Sequence, residues 1–252
     1  MQLPYTSSNL KFWLDPNDRF VTRDRSGLVN LVQDRALGGS IVQTVPAQQP
    51  RWSATAINGT PGLVFSGKQY LTYRKLAKQD FILGSPMKPF LISFVARITD
   101  PKIAIMISMD SFYNNSQISI SCGSPFGIEG GLYSSSWPRT GCIDASLYNV
   151  PLEALVNGLI PDMAGFYRAG VITFSFDGHI LILRVNGIQV DRAVVTSTDY
   201  FNCDSFSIGA RDGGPYFGID YNYIGAIGHV VIYDAPKSIQ DIENVLKGFS
   251  NI

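Results

Sequence analysis

Between positions 171 and 195 the chain reads VITFSFDGHILILRVNGIQVDRAVV. Apolar and polar residues alternate there. Ile172, Phe174 and Phe176 fall on one face, and Thr173 and Ser175 on the other, which is the pattern of strands. Asp177-Gly178 and Asn186-Gly187 break the alternation twice. A two-residue type I′ turn needs positive φ at both central positions, and Asp-Gly and Asn-Gly adopt it at low cost. The stretch predicts three strands in an antiparallel meander. It argues against a βαβ fold and against most nucleotide-binding enzymes.

Further strands are predicted along the chain. Lys11-Phe12-Trp13-Leu14 is an early one, ended by Asp15-Pro16-Asn17-Asp18. Residues 61–73, PGLVFSGKQYLTY, read as strand, turn at Ser66-Gly67, and strand. Positions 90–98 are rich in β-branched and aromatic residues. Positions 103–109, 117–121, 205–209 and 223–233 complete the set, with a loop from Ala210 to Tyr221. Residues 122–168 carry many Gly, Ser and Pro together with Phe126, Tyr133, Trp137 and Tyr148, and read as an elaborated loop region. A short helix is predicted at 151–158. One amphipathic helix closes the chain: Ser238 caps it, Ile239, Ile242, Val245, Leu246 and Phe249 form its apolar stripe, and Gly248 is expected to stop it. The fold class is therefore all-β, a two-sheet antiparallel β-sandwich with one short C-terminal helix, as a single domain over residues 1–252.

Composition narrows function by exclusion. Twenty basic and 20 acidic residues give a formal net charge of +0, and no basic arm or block offers nucleic acid a footprint. No run of about 18 apolar residues suggests a membrane span. The first residues, MQLPYTSSNL, lack a signal peptide, so the expectation is a soluble protein made in a cytoplasm. Asn58-Gly59-Thr60 and Asn114-Asn115-Ser116 match the glycosylation pattern by coincidence on that route. Cys122, Cys142 and Cys203 show no metal spacing and are expected as reduced, buried thiols.

The last third resembles the laminin G-like jelly rolls of the concanavalin A-like lectin and glucanase superfamily. The run is Val185-Asn186-Gly187-Ile188-Gln189-Val190, then Phe206-Ser207-Ile208-Gly209, then the strand from Tyr223 to Tyr233, then Ser238-Ile239-Gln240-Asp241-Ile242-Glu243. The N-terminal half matches through Phe12-Trp13-Leu14-Asp15 and the segment Gly62 to Leu71, whose strand the resemblance pairs with the C-terminal one. The family hosts lectins, adhesion modules, glycosidases and structural proteins, so fold alone does not choose among them. The resemblance extends to tailed-phage virion proteins, and implies a virion setting with other virion proteins or host surface polysaccharide as partners and homo-oligomers as one option.

A glycosidase needs two facing carboxyl groups. Glu129, Glu153 and Glu243 are the only glutamates and none has a close partner in sequence. No G-x-S-x-G occurs. His179 follows a turn and His229 lies in a strand beside Val230 and Val231; both read as structural histidines. No cofactor is expected. Calcium is the ion that the oxygen-rich loops Asp15–Asp18 and Arg211–Gly214 suit, and no metal ligand is assigned. No catalytic residue is assigned either. Glycan or protein recognition is placed on Tyr133 and Trp137, and on Arg211, Asp212, Tyr216, Asp220 and Tyr221, where aromatic faces stand among polar groups. The reading is a non-enzymatic recognition or assembly module. Its rivals are a glycosidase with an Asp-based site, a free calcium-dependent lectin and a viral coat protein.

Overall fold

A computed structural model describes residues 9–74, 88–99, 104–110, 117–123, 127–133, 145–146, 169–194, 205–212, 219–220, 222–235 and 238–252. Among them, two antiparallel sheets face each other. The first sheet has the order β15 (Ile188–Val194), β14 (Ile180–Val185), β13 (Gly170–Phe176), β8 (Phe90–Ile98), β19 (Ile224–Asp234), β6 (Thr60–Ser66) and β5 (Arg51–Ile57), with β1 (Leu10–Leu14) also paired to β19. The second has the order β12 (Ala145–Ser146), β11 (Gly127–Tyr133), β10 (Gln117–Gly123), β9 (Ala104–Asp110), β16 (Ser205–Ile208), β7 (Leu71–Arg74), β4 (Ser40–Val42), β3 (Val29–Gln33) and β2 (Val21–Arg23). A two-stranded ribbon, β17 (Arg211–Asp212) and β18 (Ile219–Asp220), stands apart. The fold is the expected β-sandwich.

β19 is the spine. Its sequence IGAIGHVVIYD is buried at every position but the two ends, because the strand is covered on both faces and so reads as a nearly unbroken apolar run. It pairs with β6 from Ile224↔Ser66 to Ile227↔Leu63, then with β1 from Leu14↔Val230 to Leu10↔Tyr233. The expected pairing of the Gly62–Leu71 segment with the C-terminal strand is present. Between the sheets lie Phe12, Phe65, Phe94, Met109, Phe174, Phe206 and Ile227 among others. Phe12 of the first sheet meets Phe206 of the second edge-on, with centroids 4.9 Å apart.

The outer face of the first sheet is buried too. Val95, Val171, Val231, Tyr233 and Trp13 pack there against Ile242 and Leu246 of helix α1 (Ile239–Phe249). The polar positions of the meander therefore need internal partners, and Thr173 Oγ1 lies 2.8 Å from Ser93 Oγ across the β13–β8 pair. Ser238 Oγ accepts the Asp241 N–H at 3.3 Å, as predicted for the cap. The helix runs on through Gly248 to Phe249 and Ser250 follows it as the C-cap. Gly248 does not stop it, because Phe249 gains a stacking partner in Trp13, with centroids 6.3 Å apart.

Three loop expectations are corrected. The Asn186-Gly187 turn has φ of 52° and 89°, as type I′ requires. The other turn is shifted by one residue: the Asp177 N–H bonds to the Ile180 carbonyl, so the two central residues are Gly178 and His179. Of these only Gly178 has positive φ, 111°, which suits a type II′ turn with Gly first. Within 122–168, β11 and β12 continue the second sheet; the paired Gly130 and Gly131 had masked the strand, since Gly carries no strand signal. The loop after β16 holds the β17–β18 ribbon. The predicted helix at 151–158, Cys142 and Cys203 lie outside the described residues.

Candidate functional site

Antiparallel registers sort the molecule into two ends. At one end, β16 leaves the second sheet at Ile208, opposite Leu71, and β6 leaves the first at Ser66, opposite Ile224. The chain crosses from sheet to sheet here through Ser66–Tyr70. Gly209 is the junction. Its N–H donates to the Met106 carbonyl at 2.9 Å, and its carbonyl accepts from the Tyr223 N–H at 2.8 Å. A Cβ at Gly209 would lie 2.4 Å from the Phe65 ring and 3.1 Å from the Gln69 carbonyl oxygen, and φ is +88°. Only glycine fits such a position. Tyr223 in turn receives the Gly67 N–H on its carbonyl at 3.1 Å and donates its hydroxyl to the Arg97 carbonyl at 2.9 Å. The loop from Ala210 to Asn222 is thus clamped at its base beside the Ser66–Tyr70 turn.

The predicted site residues divide between the two ends. Arg211 sits opposite Asp220, and Asp212 opposite Ile219, so these three share one ribbon at the Gly209 end. Tyr133 ends β11 at the other end, in register with Gln117, Asp110, Ser205 and Arg74 across four neighbouring strands. From Ser205 to Arg211 the chain advances on the order of 15–20 Å, so the structure does not bring Tyr133 to the ribbon. Trp137, Tyr216 and Tyr221 lie outside the described residues.

The Gly209 end also carries residues the sequence reading passed over. Gln69 Oε1 accepts the Ser66 N–H at 2.7 Å, the Lys68 N–H at 3.2 Å and the Ser66 hydroxyl at 3.0 Å. Two backbone donors on one oxygen fix the amide orientation, so its NH₂ group faces away from the turn. The Tyr70 N–H bonds to the Gln48 carbonyl at 3.0 Å, and Tyr70 Oη to Gln48 Oε1 at 3.0 Å. Gln69, Tyr70 and Gln48 are half-buried, and Lys68 is exposed. Lys68, Gln69 and Tyr70 thus belong to the turn whose Gln69 backbone carbonyl lies against Gly209, two residues before Arg211, and with Gln48 they form a polar rim at this end. The signals were the SGKQY turn and the PAQQP run, legible only once the crossover of sheets is known.

Chemistry elsewhere is accounted for by structure. Glu243 is fully buried. Arg184 donates to both its oxygens, Nε to Oε1 at 2.9 Å and a terminal nitrogen to Oε2 at 3.1 Å. Such a carboxylate is a structural anchor for α1, not a general acid. Asp15 accepts from the Asn17 backbone N–H at 3.0 Å, from the Asn17 side chain and from Arg35, so its oxygens hold the loop rather than an ion. Asp34 is buried and accepts the N–H groups of Trp13 at 3.0 Å and Ala36 at 2.9 Å; burial nonetheless raises its carboxyl above the usual carboxylate value. His229 is buried and accepts the Trp13 indole N–H on Nδ1 at 3.4 Å. Burial, and secondarily Arg35, lower it to about 4, against the pull of Asp15. It is neutral at pH 7, a structural histidine as expected. Among the described residues no group of three His, Cys, Asp or Glu side chains could hold a metal ion. No helix among them is long and apolar enough to cross a membrane.

No family model matches the chain, and no curated protein matches it. Solved structures do. The binding domain of Paraclostridial Mosquitocidal Protein 1 superposes with a TM-score of 0.62 at 13% identity, over 97% of this chain and 53% of that one. Domain 4 of AbnA, an extracellular arabinanase from Geobacillus stearothermophilus, in complex with arabinotriose, gives 0.56 at 13% identity over 94% of this chain and 98% of that one. The binding domain of Botulinum Neurotoxin DC, in complex with SialylT, gives 0.58 at 14% identity over 97% and 52%. The chain thus spans about half the length of the toxin binding domains and nearly all of the arabinanase domain. These likenesses establish the fold, a two-sheet sandwich. Two of the three neighbours are toxin binding domains and the third is domain 4 of an arabinanase. None is a virion protein, and the comparisons lend the expected virion setting no support.

Proposed function

We propose that this chain is a non-catalytic glycan-recognition module that binds through the rim formed by Arg211, Asp212 and Asp220 with Lys68, Gln69 and Tyr70. One observation supports the reading: Gly209, two residues before the Arg211–Asp220 pair, lies against the Ser66–Tyr70 turn, its Cβ position 3.1 Å from the Gln69 carbonyl oxygen. Sugar hydroxyls need donors and acceptors close together, and an aromatic ring for their C–H face. The rim holds all three. The arabinanase domain supports it, since it shares the sandwich over nearly its whole length and its description includes bound arabinotriose. The buried, bidentate Glu243 removes one of the three glutamates a glycosidase could have used.

A glycan array probed with the full chain tests this. Binding is expected, weakened at least tenfold in Arg211→Ala and in Lys68→Ala. Binding unchanged in the double variant overturns the rim. Reducing-sugar release from a bound glycan overturns the non-catalytic assignment. The finer expectation, a virion protein meeting a partner or host polysaccharide through this rim, keeps the same site and adds a setting. Cosedimentation with phage particles lacking the protein tests that setting.

A further inference from the structure

Two hairpins among the described residues turn on the same dipeptide, Asn-Gly. Both tips have the positive φ of a type I′ turn, 46° and 82° at Asn58-Gly59 and 52° and 89° at Asn186-Gly187. Dipeptide and turn are thus matched, and only the surroundings differ. Asn-Gly is a reactive pair. The glycine nitrogen can close a five-membered ring on the asparagine side-chain carbonyl, and glycine has no side chain to hinder the approach. The reaction needs side chain and nitrogen free to reach an attack geometry.

Asn186 is held away from that geometry. Its Oδ1 accepts the Val171 N–H at 2.8 Å, its own N–H donates to the Val171 carbonyl at 2.8 Å, and its carbonyl accepts from Lys247 Nζ at 2.7 Å. A Cβ at Gly187 would meet Lys247 Nζ at 3.2 Å, and Gln240 and Glu243 at 3.5 Å. Helix α1 therefore covers this tip, and turning the Asn186 side chain would leave the Val171 N–H without its acceptor.

Asn58 is placed differently. Asn58 and Gly59 are both exposed, and space is open around the Gly59 Cβ position to 4 Å. Among the described residues the Asn58 side chain makes one hydrogen bond, from Nδ2 to the Asn251 carbonyl at 3.4 Å, which is long. The hairpin is loosely closed as well. Between Ser53 and Ile57 strand β5 loses register with β6, and the pair Ile57↔Thr60 alone closes the tip beyond that break. Local opening costs little where so few bonds hold a turn.

We propose that Asn58 is a site of spontaneous chemical modification, and that the fold spares Asn186 in the same dipeptide. The Gly59 backbone nitrogen forms a bond to Asn58 Cγ. The Cγ–Nδ2 bond breaks, and the amide nitrogen leaves as ammonia with the proton that the Gly59 nitrogen gives up. A cyclic imide remains. Water then opens either of its two C–N bonds, giving aspartate or an isomer linked through the side chain. The product carries one more negative charge. Its carboxylate only accepts hydrogen bonds, so the donor to the Asn251 carbonyl is lost, and of the two hydrogen bonds between Asn58 and Asn251 only the one to the Asn58 carbonyl is left.

Incubation of the folded full chain at mildly alkaline pH, followed by tryptic peptide mass mapping, tests this. Trypsin places Asn58, Asn186 and the third pair, Asn157-Gly158, which lies outside the described residues, in different peptides. Conversion is expected at least tenfold faster at Asn58 than at Asn186. In guanidinium chloride, which frees both turns, the two rates are expected to agree within about twofold. An Asn58 that stays intact in the folded protein while the unfolded sample converts overturns the proposal. So does an Asn186 that converts as fast as Asn58 in the folded protein. A tenfold difference that persists in denaturant assigns the contrast to local sequence and overturns the role of the fold.

Discussion

The helix-covered face of the first sheet and the Gly209 rim use the same side-chain types and differ in where their hydrogen bonds end. On the covered face, Trp13 is stacked by the Arg35 guanidinium, 3.6 Å from its ring centre, and by Phe249. Its N–H goes to His229, and Arg35 binds Asp15. Arg184 and Glu243 saturate each other. At the rim, the Gln69 carbonyl oxygen is engaged within the turn while its amide faces outward. Tryptophan, histidine, arginine and glutamate together look like an active site in a sequence. Here they are scaffold, and a modest Lys-Gln-Tyr turn is the candidate binding surface.

Variants can break or sharpen that contrast. The largest effect is expected from Glu243→Ala. It leaves the Arg184 guanidinium in a mostly buried place with only the Gly187 carbonyl and Gln240, and costs about 3 kcal/mol. Urea unfolding checks it, and a cost near zero would mean the pair does not anchor α1.

Acid comes next. In the folded protein His229 sits at about 4, below its ordinary 6.5. Between those values the unfolded chain binds the proton first, so stability is complete above pH 6.5 and falls as pH drops towards 4. The loss is at most about 3 kcal/mol. Asp34, whose carboxyl is raised by burial, works in the opposite direction. Unfolding midpoints measured from pH 7 to 4 should therefore fall less steeply in His229→Gln.

Gly209→Ala forces a Cβ towards Phe65 at positive φ and is expected to cost about 1–3 kcal/mol. It should also weaken glycan binding, because it displaces the base of the ribbon. The smallest stability effects are expected for Lys68→Ala and Arg211→Ala, within about 0.5 kcal/mol of the parent. If either unfolds the protein, the rim is scaffold after all and the contrast fails.

Much of the sandwich was legible because strand periodicity and turn chemistry are local. Val185 to Ile188 announces its own turn. The β19 run announces its double burial. What the sequence hid is of two kinds. Small shifts escaped it: the Asp177 side chain caps the hairpin and moves the turn to Gly178-His179, and Phe249 carries the helix past Gly248. Long-range partnerships escaped it altogether. Trp13 and His229 are 216 positions apart, and Arg184 meets Glu243 across 59. The candidate site followed the same rule. Arg211, Asp212 and Asp220 were found as neighbours in one loop. The Ser66–Tyr70 turn is brought to the same end only by the register at Gly209, and Tyr133 is separated from the three by the registers of the second sheet.

Helix α1 has one consequence for anyone handling the protein. Val95, Val171 and Val231 are shielded by Ile242 and Leu246 rather than by solvent. A version cut before Ser238 would expose a bare greasy sheet and clump in the tube, so a missing sugar signal from such a truncation would report on stickiness instead of recognition.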